Sequence, residues 1–343
     1  MTKKPEIVLI YTGGTIGMIK DYETNALKAF DFNHLYDNIP ELNHLHCIIE
    51  TVSFEKPIDS SSMNTKYWVD IVTIIERYYK RKDGFVVLTG SDTMSYTASA
   101  ISFMLEHLNK PVIFTGSQLP IGDLRTDAKE NLITAIQIAS ARDENDLPIV
   151  REVGLYFEYK LYRANRTTKI NAEQFEAFTS LNYPPIAESG VHLKFYKNLL
   201  MRSALDKNLI VRKKLEDNIV ILKLFPSITK QVVESILKIP NLKGVILETY
   251  GSGNAPIEKW FIKMLKETID KGIYIVDVTQ CIGGSVIFGQ YETSMQLQKI
   301  GLINGKDITT ESAIAKLMYL LGENISKTDF KTIFETPLRG EMA

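Results

Sequence analysis

Cysteine is nearly absent from this sequence. Cys47 and Cys281 are the only two in 343 residues and lie far apart in the chain. No disulfide framework is expected, and a reducing, cytoplasmic location fits. Excess charge of either sign is missing too: 40 Lys and Arg stand against 41 Asp and Glu, for a net charge of −1. That balance provides no electrostatic footprint for nucleic acid or for an anionic membrane, which leaves a small molecule as the expected partner. Long apolar runs are also lacking. The opening "MTKKPEIVLIYTGG" holds a single five-residue apolar run before polar residues follow. Such a run is too short for a signal-peptide core or a membrane span. No repeat of solenoid period and no low-complexity segment interrupts the chain.

Common cofactor and catalytic signatures are absent as well. No G-x-x-x-x-G-K-[ST] segment exists, which excludes a Walker-type phosphate loop. "GSGNAP" at 251–256 begins like a dinucleotide fingerprint but has no third glycine. "HLHC" at 44–47 has metal-ligand spacing, yet no second cluster completes four ligands, so no metal is expected. The five histidines are His34, His44, His46, His107 and His192. None flanks a glycine–threonine loop, so a Ser-His-Asp arrangement has no evident base. If a hydroxyl is the nucleophile here, lysine is the expected activating partner.

What the chain does contain is an alternation of strand-like and helix-like runs. "EIVLIY" reads as a buried strand, followed by "HCIIETVSF" (46–54), a helix over 63–81, a strand over 84–90 and a helix over 93–109. A strand at 111–117, a helix at 125–141 and a strand at 153–159 continue the pattern. Trp68, Ile71, Ile75 and Tyr78 recur at helical spacing and read as a core stripe. This alternation predicts an α/β fold in two domains. The larger N-terminal domain has a mainly parallel sheet with crossover helices, and the smaller C-terminal domain is Rossmann-like. The pattern lapses over about 180–215, where "SLNYPPIAESG" is rich in turn formers. The expected division is a catalytic domain at 1–195, a linker at 196–216 and a second α/β domain at 217–343.

Three strands end in small hydroxyl- and glycine-bearing loops: "YTGGT", "LTGSDT" and "FTGSQLP". In a parallel sheet all three ends share one edge, the edge at which α/β proteins bind ligands. Gly13 and Gly14 let a ligand or a neighbouring chain approach the backbone before Thr15. Ser91 and Asp92 suit either chemistry or the capping of the next helix. The serines of "DSSSMN" (59–64) suit either ligand binding or an N-cap. Arg163, Arg166 and Lys169 in "LYRANRTTK" (161–169) suit either a site or a solvated basic loop.

Taken together, "YTGGTIGM", "DSSSM", "TGSDTMSYTASAISFMLE", "PVIFTGSQLP", "LYRANRTTK" and "YGSGNAP" resemble the bacterial type I, cytoplasmic L-asparaginases. The resemblance runs from about residue 5 to about residue 340, in order and without a missing block. It implies a two-domain α/β amidohydrolase, a homodimer or homotetramer, that needs no metal or organic cofactor. The implied reaction converts L-asparagine to L-aspartate and ammonia, with weaker action on L-glutamine. Carried onto this chain, Thr15 is the nucleophile that attacks the side-chain amide carbon. Ser91 takes the place of a second hydroxyl, Lys169 is the proton acceptor, and Asp92 orients the group and holds the substrate ammonium. Ser60 and Ser61 take the substrate carboxylate, with Gly90 in the binding set, and Asn254 reaches a neighbouring subunit's site.

Three positions depart from the family pattern. The motif that commonly reads H-G-T-D-T is here Thr89-Gly90-Ser91-Asp92-Thr93, which keeps the hydroxyl but not its stiff β-branched rotamer. Relatives often carry, in the loop after the first motif, a tyrosine that helps the nucleophile; Tyr22 is nearby here, at a spacing that does not match. Glu248 stands where allosterically regulated relatives carry an arginine, so allostery is not expected. Two other readings of the pattern are a non-catalytic amino-acid-binding or sensing protein and a subunit of a tRNA-dependent amidotransferase. The second carries an extra domain ahead of the first strand, which here is expected to begin at about residue 6.

Overall fold

The computed structural model describes residues 3–20, 27–29, 39–202, 205–289 and 292–343. These form two compact units, Met1–Lys213 and Lys214–Ala343.

The first unit is built on an eight-stranded sheet. Its strands are β1 (Glu6–Gly13), β2 (Ile48–Ile58), β3 (Gly84–Leu88), β4 (Val112–Thr115), β5 (Val153–Phe157), β6 (Lys160–Arg163), β7 (Ala187–Glu188) and β8 (Lys194–Phe195). The order across the sheet is β8-β7-β6-β5-β4-β3-β1-β2. β1 is buried on both faces from Ile7 onward, as its unbroken apolar run requires of a central parallel strand. β2 pairs with one side of β1 and β3 with the other, all parallel. The chain therefore changes winding direction at β1, which makes the gap beyond the ends of β1 and β3 a topological switch point.

Helices α1 (Thr65–Tyr79), α2 (Met94–Met104) and α3 (Ala128–Ser140) connect the strands. Trp68, Ile71 and Ile75 of α1 are buried, and Trp68 Nε1 donates to Thr97 Oγ1 on α2 at 3.1 Å. The helix expected over 93–109 stops at Met104. Leu105–Glu106 instead pairs antiparallel with Ile210–Val211, and Arg212 donates twice to the Glu106 carboxylate at 3.0 and 2.9 Å. Pairing between segments distant in sequence overrides local helix propensity there.

The sheet is also less uniform than the alternation suggests. β4 and β5 are parallel, but β6, β7 and β8 are antiparallel additions. Only Glu158 and Tyr159 separate β5 from β6, and a connection so short closes a hairpin and cannot form a crossover. Both turn residues have positive φ, 41° and 69°.

In the second unit, β9 (Ile219–Lys223), β10 (Gly244–Thr249), β11 (Tyr274–Thr279) and β12 (Ile303–Asn304) form an all-parallel sheet in chain order. Helices α4 (Lys230–Leu237) and α5 (Lys259–Asp270) are the first two crossovers, followed by α6 (Glu292–Lys299), α7 (Thr310–Gly322) and α8 (Lys327–Phe334). The side chain of Thr309 caps α7 by accepting from Ser312 N–H at 3.2 Å. On α7, the fully buried Lys316 pairs with the fully buried Glu341, which ties the C-terminal segment to the core of this unit. Among the described residues, no helix is long and apolar enough to cross a membrane.

Asp277 lies in the middle of β11 with no exposed surface. One carboxyl oxygen accepts from Thr249 Oγ1 at 2.7 Å, and the other has no partner among the described residues. Burial pushes its pKa up to about 7. Because the folded form holds the proton more tightly than the unfolded chain, stability falls as pH rises above the ordinary carboxyl range. The loss levels off above the folded pKa of about 7. Thermal melts from about pH 5 to 8 are expected to show this decline, and Asp277→Asn, which cannot ionise, is expected to flatten it. Parallel pH dependences in the two proteins would assign the decline to other groups.

Candidate active site

The site is assembled at the β1/β3 switch point, where close backbone contacts select the residues. Gly13 has φ +133°, and a Cβ there would lie 2.1 Å from the carbonyl oxygen of Ile58 at the end of β2. Gly14 has φ +90°, and its Cβ would lie 2.4 Å from the Gly90 nitrogen beyond β3. Both the positive φ and the missing side chain are needed for the three strand ends to meet. Thr15 follows at once and opens a single turn, Thr15–Gly17, closed by Gly17 N–H donating to Gly14 O at 3.2 Å. Ile16 anchors this turn in the core, while Thr15 is half-buried. The Thr15 carbonyl accepts from Met18 N–H, and its hydroxyl has no hydrogen bond among the described residues. Tyr22 lies outside the described residues.

The serines of the β2 loop do not cap α1. Asn64 does so, its side chain accepting from Lys66 N–H at 3.0 Å. Ser60–Ser62 form a separate turn, in which Asp59 accepts from Ser61 N–H at 2.8 Å. Ser60 is buried directly beneath Gly90, where an added Cβ would sit 2.5 Å from Ser60 Oγ. Ser61 is exposed.

Ser91 and Asp92 are likewise not the cap of α2. That position belongs to Thr93, whose hydroxyl donates to Ser60 O at 2.8 Å. Ser91 and Asp92 instead meet Lys169. Its Nζ donates to Ser91 Oγ at 2.8 Å and to Asp92 Oδ1 at 2.7 Å. The lysine side chain is 16% exposed and that of the aspartate 68%. One face of the pair is therefore enclosed and the other open to an incoming ligand.

Lys169 is brought there by a segment more deeply set than a solvated basic loop. Arg163 and Arg166 are 6% and 4% exposed. Arg163 Nε donates to Glu152 at 2.6 Å, and its guanidinium lies 4.4 Å from the Tyr183 ring centroid. Asn165 Nδ2 donates to Ser102 Oγ at 3.2 Å, and Thr167 Oγ1 to Ser95 Oγ at 3.0 Å, both on α2. Lys169 then pairs with Phe178 in a two-residue ladder. Buried charge and polar groups of this kind are held by their partners, so the backbone carrying Lys169 is fixed.

Sequence reasoning missed Gln118. Its Oε1 accepts the Ser91 hydroxyl proton at 3.2 Å. The "FTGSQLP" loop signalled the region, but nothing in the spacing marked the glutamine. Asn254 lies in the second unit, in the turn after β10, where its main chain exchanges hydrogen bonds with Tyr250 at 2.9 and 2.8 Å. Among the described residues, no group of three or more His, Cys, Asp or Glu is placed to hold a metal ion.

Comparison with known proteins decides the family. Residues 6–201 match the profile "Asparaginase, N-terminal", and residues 218–334 match "Glutaminase/Asparaginase C-terminal domain". The chain belongs to the asparaginase family. It is 40% identical to L-asparaginase 1 of Escherichia coli K12 over 341 residues, covering 99% of this chain and 98% of that one. Among solved structures, L-asparaginase I of Vibrio cholerae is similar with a TM-score of 0.90 at 36% identity, covering 99% and 100% of the two chains. The thermostable L-asparaginase of Thermococcus kodakarensis gives 0.89 at 28% identity, covering 98% and 99%. The asparaginase family places this chain among the amidohydrolases.

Proposed function

We propose that the protein is an L-asparaginase that hydrolyses L-asparagine to L-aspartate and ammonia. The observation that carries the reading is Lys169 Nζ bridging Ser91 and Asp92 at the strand edge from which the Thr15 turn also emerges.

Each step of the chemistry has a group to perform it. Thr15 Oγ1 attacks the side-chain amide carbon, ammonia leaves, and water hydrolyses the acyl-threonine to release aspartate and free the hydroxyl. The hydroxyl proton must be taken up as the bond forms: Ser91 passes it to Lys169, and it returns to the departing nitrogen, which leaves as ammonia when the C–N bond breaks. Lys169 Nζ lies 2.8 Å from Ser91 Oγ, within reach of the transfer from Ser91. Turnover requires the neutral amine, which accepts from Ser91. Asp92 Oδ1 is occupied by Lys169, which leaves Oδ2 for the substrate ammonium. Ser60 and Ser61 supply donors for the α-carboxylate, and Gly90 lies between them and Ser91.

The active form on this reading is a cytoplasmic homodimer or homotetramer in which Asn254 completes a neighbour's site. It uses no metal or organic cofactor. Residues 1–195 are the catalytic domain, 196–216 the linker and 217–343 the second domain. Ammonia release from L-asparagine and L-glutamine, followed from about pH 6 to 9, tests the reading. Faster turnover of asparagine is expected. No release from either substrate at any pH would overturn it.

A further inference from the structure

Position 91 presents a rotational problem. Threonine's branched Cβ restricts χ1, whereas a serine hydroxyl samples several staggered wells. A proton relay through serine therefore needs a constraint from outside the residue. Ser91 Oγ is held from two sides: Lys169 Nζ donates to it at 2.8 Å, and its own proton goes to Gln118 Oε1 at 3.2 Å.

Gln118 is itself fixed. Its Nε2 donates to the Gln174 carbonyl at 3.0 Å, which turns the amide oxygen toward Ser91. Its backbone N–H donates to both carboxylate oxygens of Asp127, at 3.1 and 2.9 Å, and Leu119 N–H donates to Oδ1 at 3.1 Å. Asn131 braces the arrangement, donating to Asp127 Oδ2 at 3.2 Å and to Gly116 O at 3.1 Å. Asp127 is 6% exposed and Asn131 fully buried. Moving this loop would strand buried polar groups without partners, so its position is stiff.

We propose that Gln118 is a positioning residue for the Ser91–Lys169 relay, with Asp127 holding Gln118 in turn. The bond to Gln118 holds Ser91 Oγ in the place that a β-branched residue would obtain from sterics. When the relay runs, the one Ser91 proton turns from Gln118 to Lys169 Nζ by rotation about Cβ–Oγ, with the oxygen left where it is. The proposal rests on the asparaginase reading above. It carries a consequence that a merely structural role does not: the need for Gln118 depends on which residue stands at 91.

The test is steady-state ammonia release by wild type, Gln118→Met, Ser91→Thr and the double variant. Gln118→Met keeps the side-chain length and removes the acceptor. It is expected to lower kcat about tenfold with KM within about twofold, because a relay is sensitive to orientation. In the Ser91→Thr background the same change is expected to cost less than about threefold in kcat. Equal losses in both backgrounds, no loss in wild type, or a raised KM at constant kcat would each overturn the proposal. Should Gln118→Met fail to fold, Gln118→Ala carries the same comparison. A wild-type protein that releases no ammonia overturns the asparaginase reading and this proposal with it. An active wild type without the coupling overturns the proposal alone.

Discussion

Thr15→Ala is expected to abolish turnover while leaving substrate binding in place. On the proposed mechanism Thr15 supplies the attacking oxygen, and no other hydroxyl of the Thr15–Gly17 turn can replace it. Loss of a nucleophile costs about a million-fold in kcat where it has been dissected. Stability should barely change. Thr15 is half-buried and its hydroxyl has no hydrogen bond among the described residues, so alanine removes little packing and strands no described partner. On the proposed mechanism the binding contacts lie elsewhere, at Ser60, Ser61 and Asp92. Calorimetric titration of the variant with L-asparagine should therefore still show binding, and single-turnover experiments should show no acyl-enzyme. Thr15→Ser, which keeps the hydroxyl, should recover part of the rate. If Thr15→Ala retains most of its activity, the turn after β1 is only a structural device for joining the strand ends.

That turn also shows how far residues alone can be read. "EIVLIYTGGT" identifies a buried strand and a glycine pair because both follow from local rules: an unbroken apolar run, then positions without Cβ. What the glycines touch is not local. Gly13 abuts Ile58, 45 positions onward, and Gly14 abuts Gly90. The convergence of the loops could be inferred only through the parallel sheet, whose strands all end on one edge. Where the sheet stops being parallel, the inference stops as well. The antiparallel β5–β6 hairpin turns on two residues, Glu158 and Tyr159, that carry no glycine or asparagine to announce it.

Side chains whose meaning depends on burial were the least legible. Arg163 and Arg166 look like surface charge in sequence, because arginine is rarely buried without a partner. Their partners are Glu152 and the Tyr183 ring, brought together by the fold. Ser91 and Asp92 fit a helix cap equally well until Thr93 is seen in that position. Gln118 illustrates the same limit. Its importance lies in a rotor it constrains 27 residues away, and no spacing rule links the two.

Lys169→Met and Ser91→Ala are expected to fall to a similar low level of kcat. In the proposed relay Ser91 hands the proton on and Lys169 receives it, so removing either breaks the same path. Each loss is expected to be about 100-fold or more, the scale of acid–base assistance. Methionine retains the aliphatic length of lysine, and the side chain of the Asp92 left behind is 68% exposed, so solvent can hydrate its carboxylate. Neither change should lower the melting temperature much, since Thr93 and not Ser91 is the N-cap of α2. The double variant is the decisive measurement. Residues acting as one unit are non-additive, so Ser91→Ala/Lys169→Met should be little worse than either single change. Independent roles predict multiplied losses, about 10,000-fold from two factors of about 100. Ser91→Thr, by contrast, is expected to keep or raise kcat, because it retains the hydroxyl and narrows its rotamers. Full turnover in Ser91→Ala would remove the serine from the relay and leave Lys169 paired with Asp92 alone.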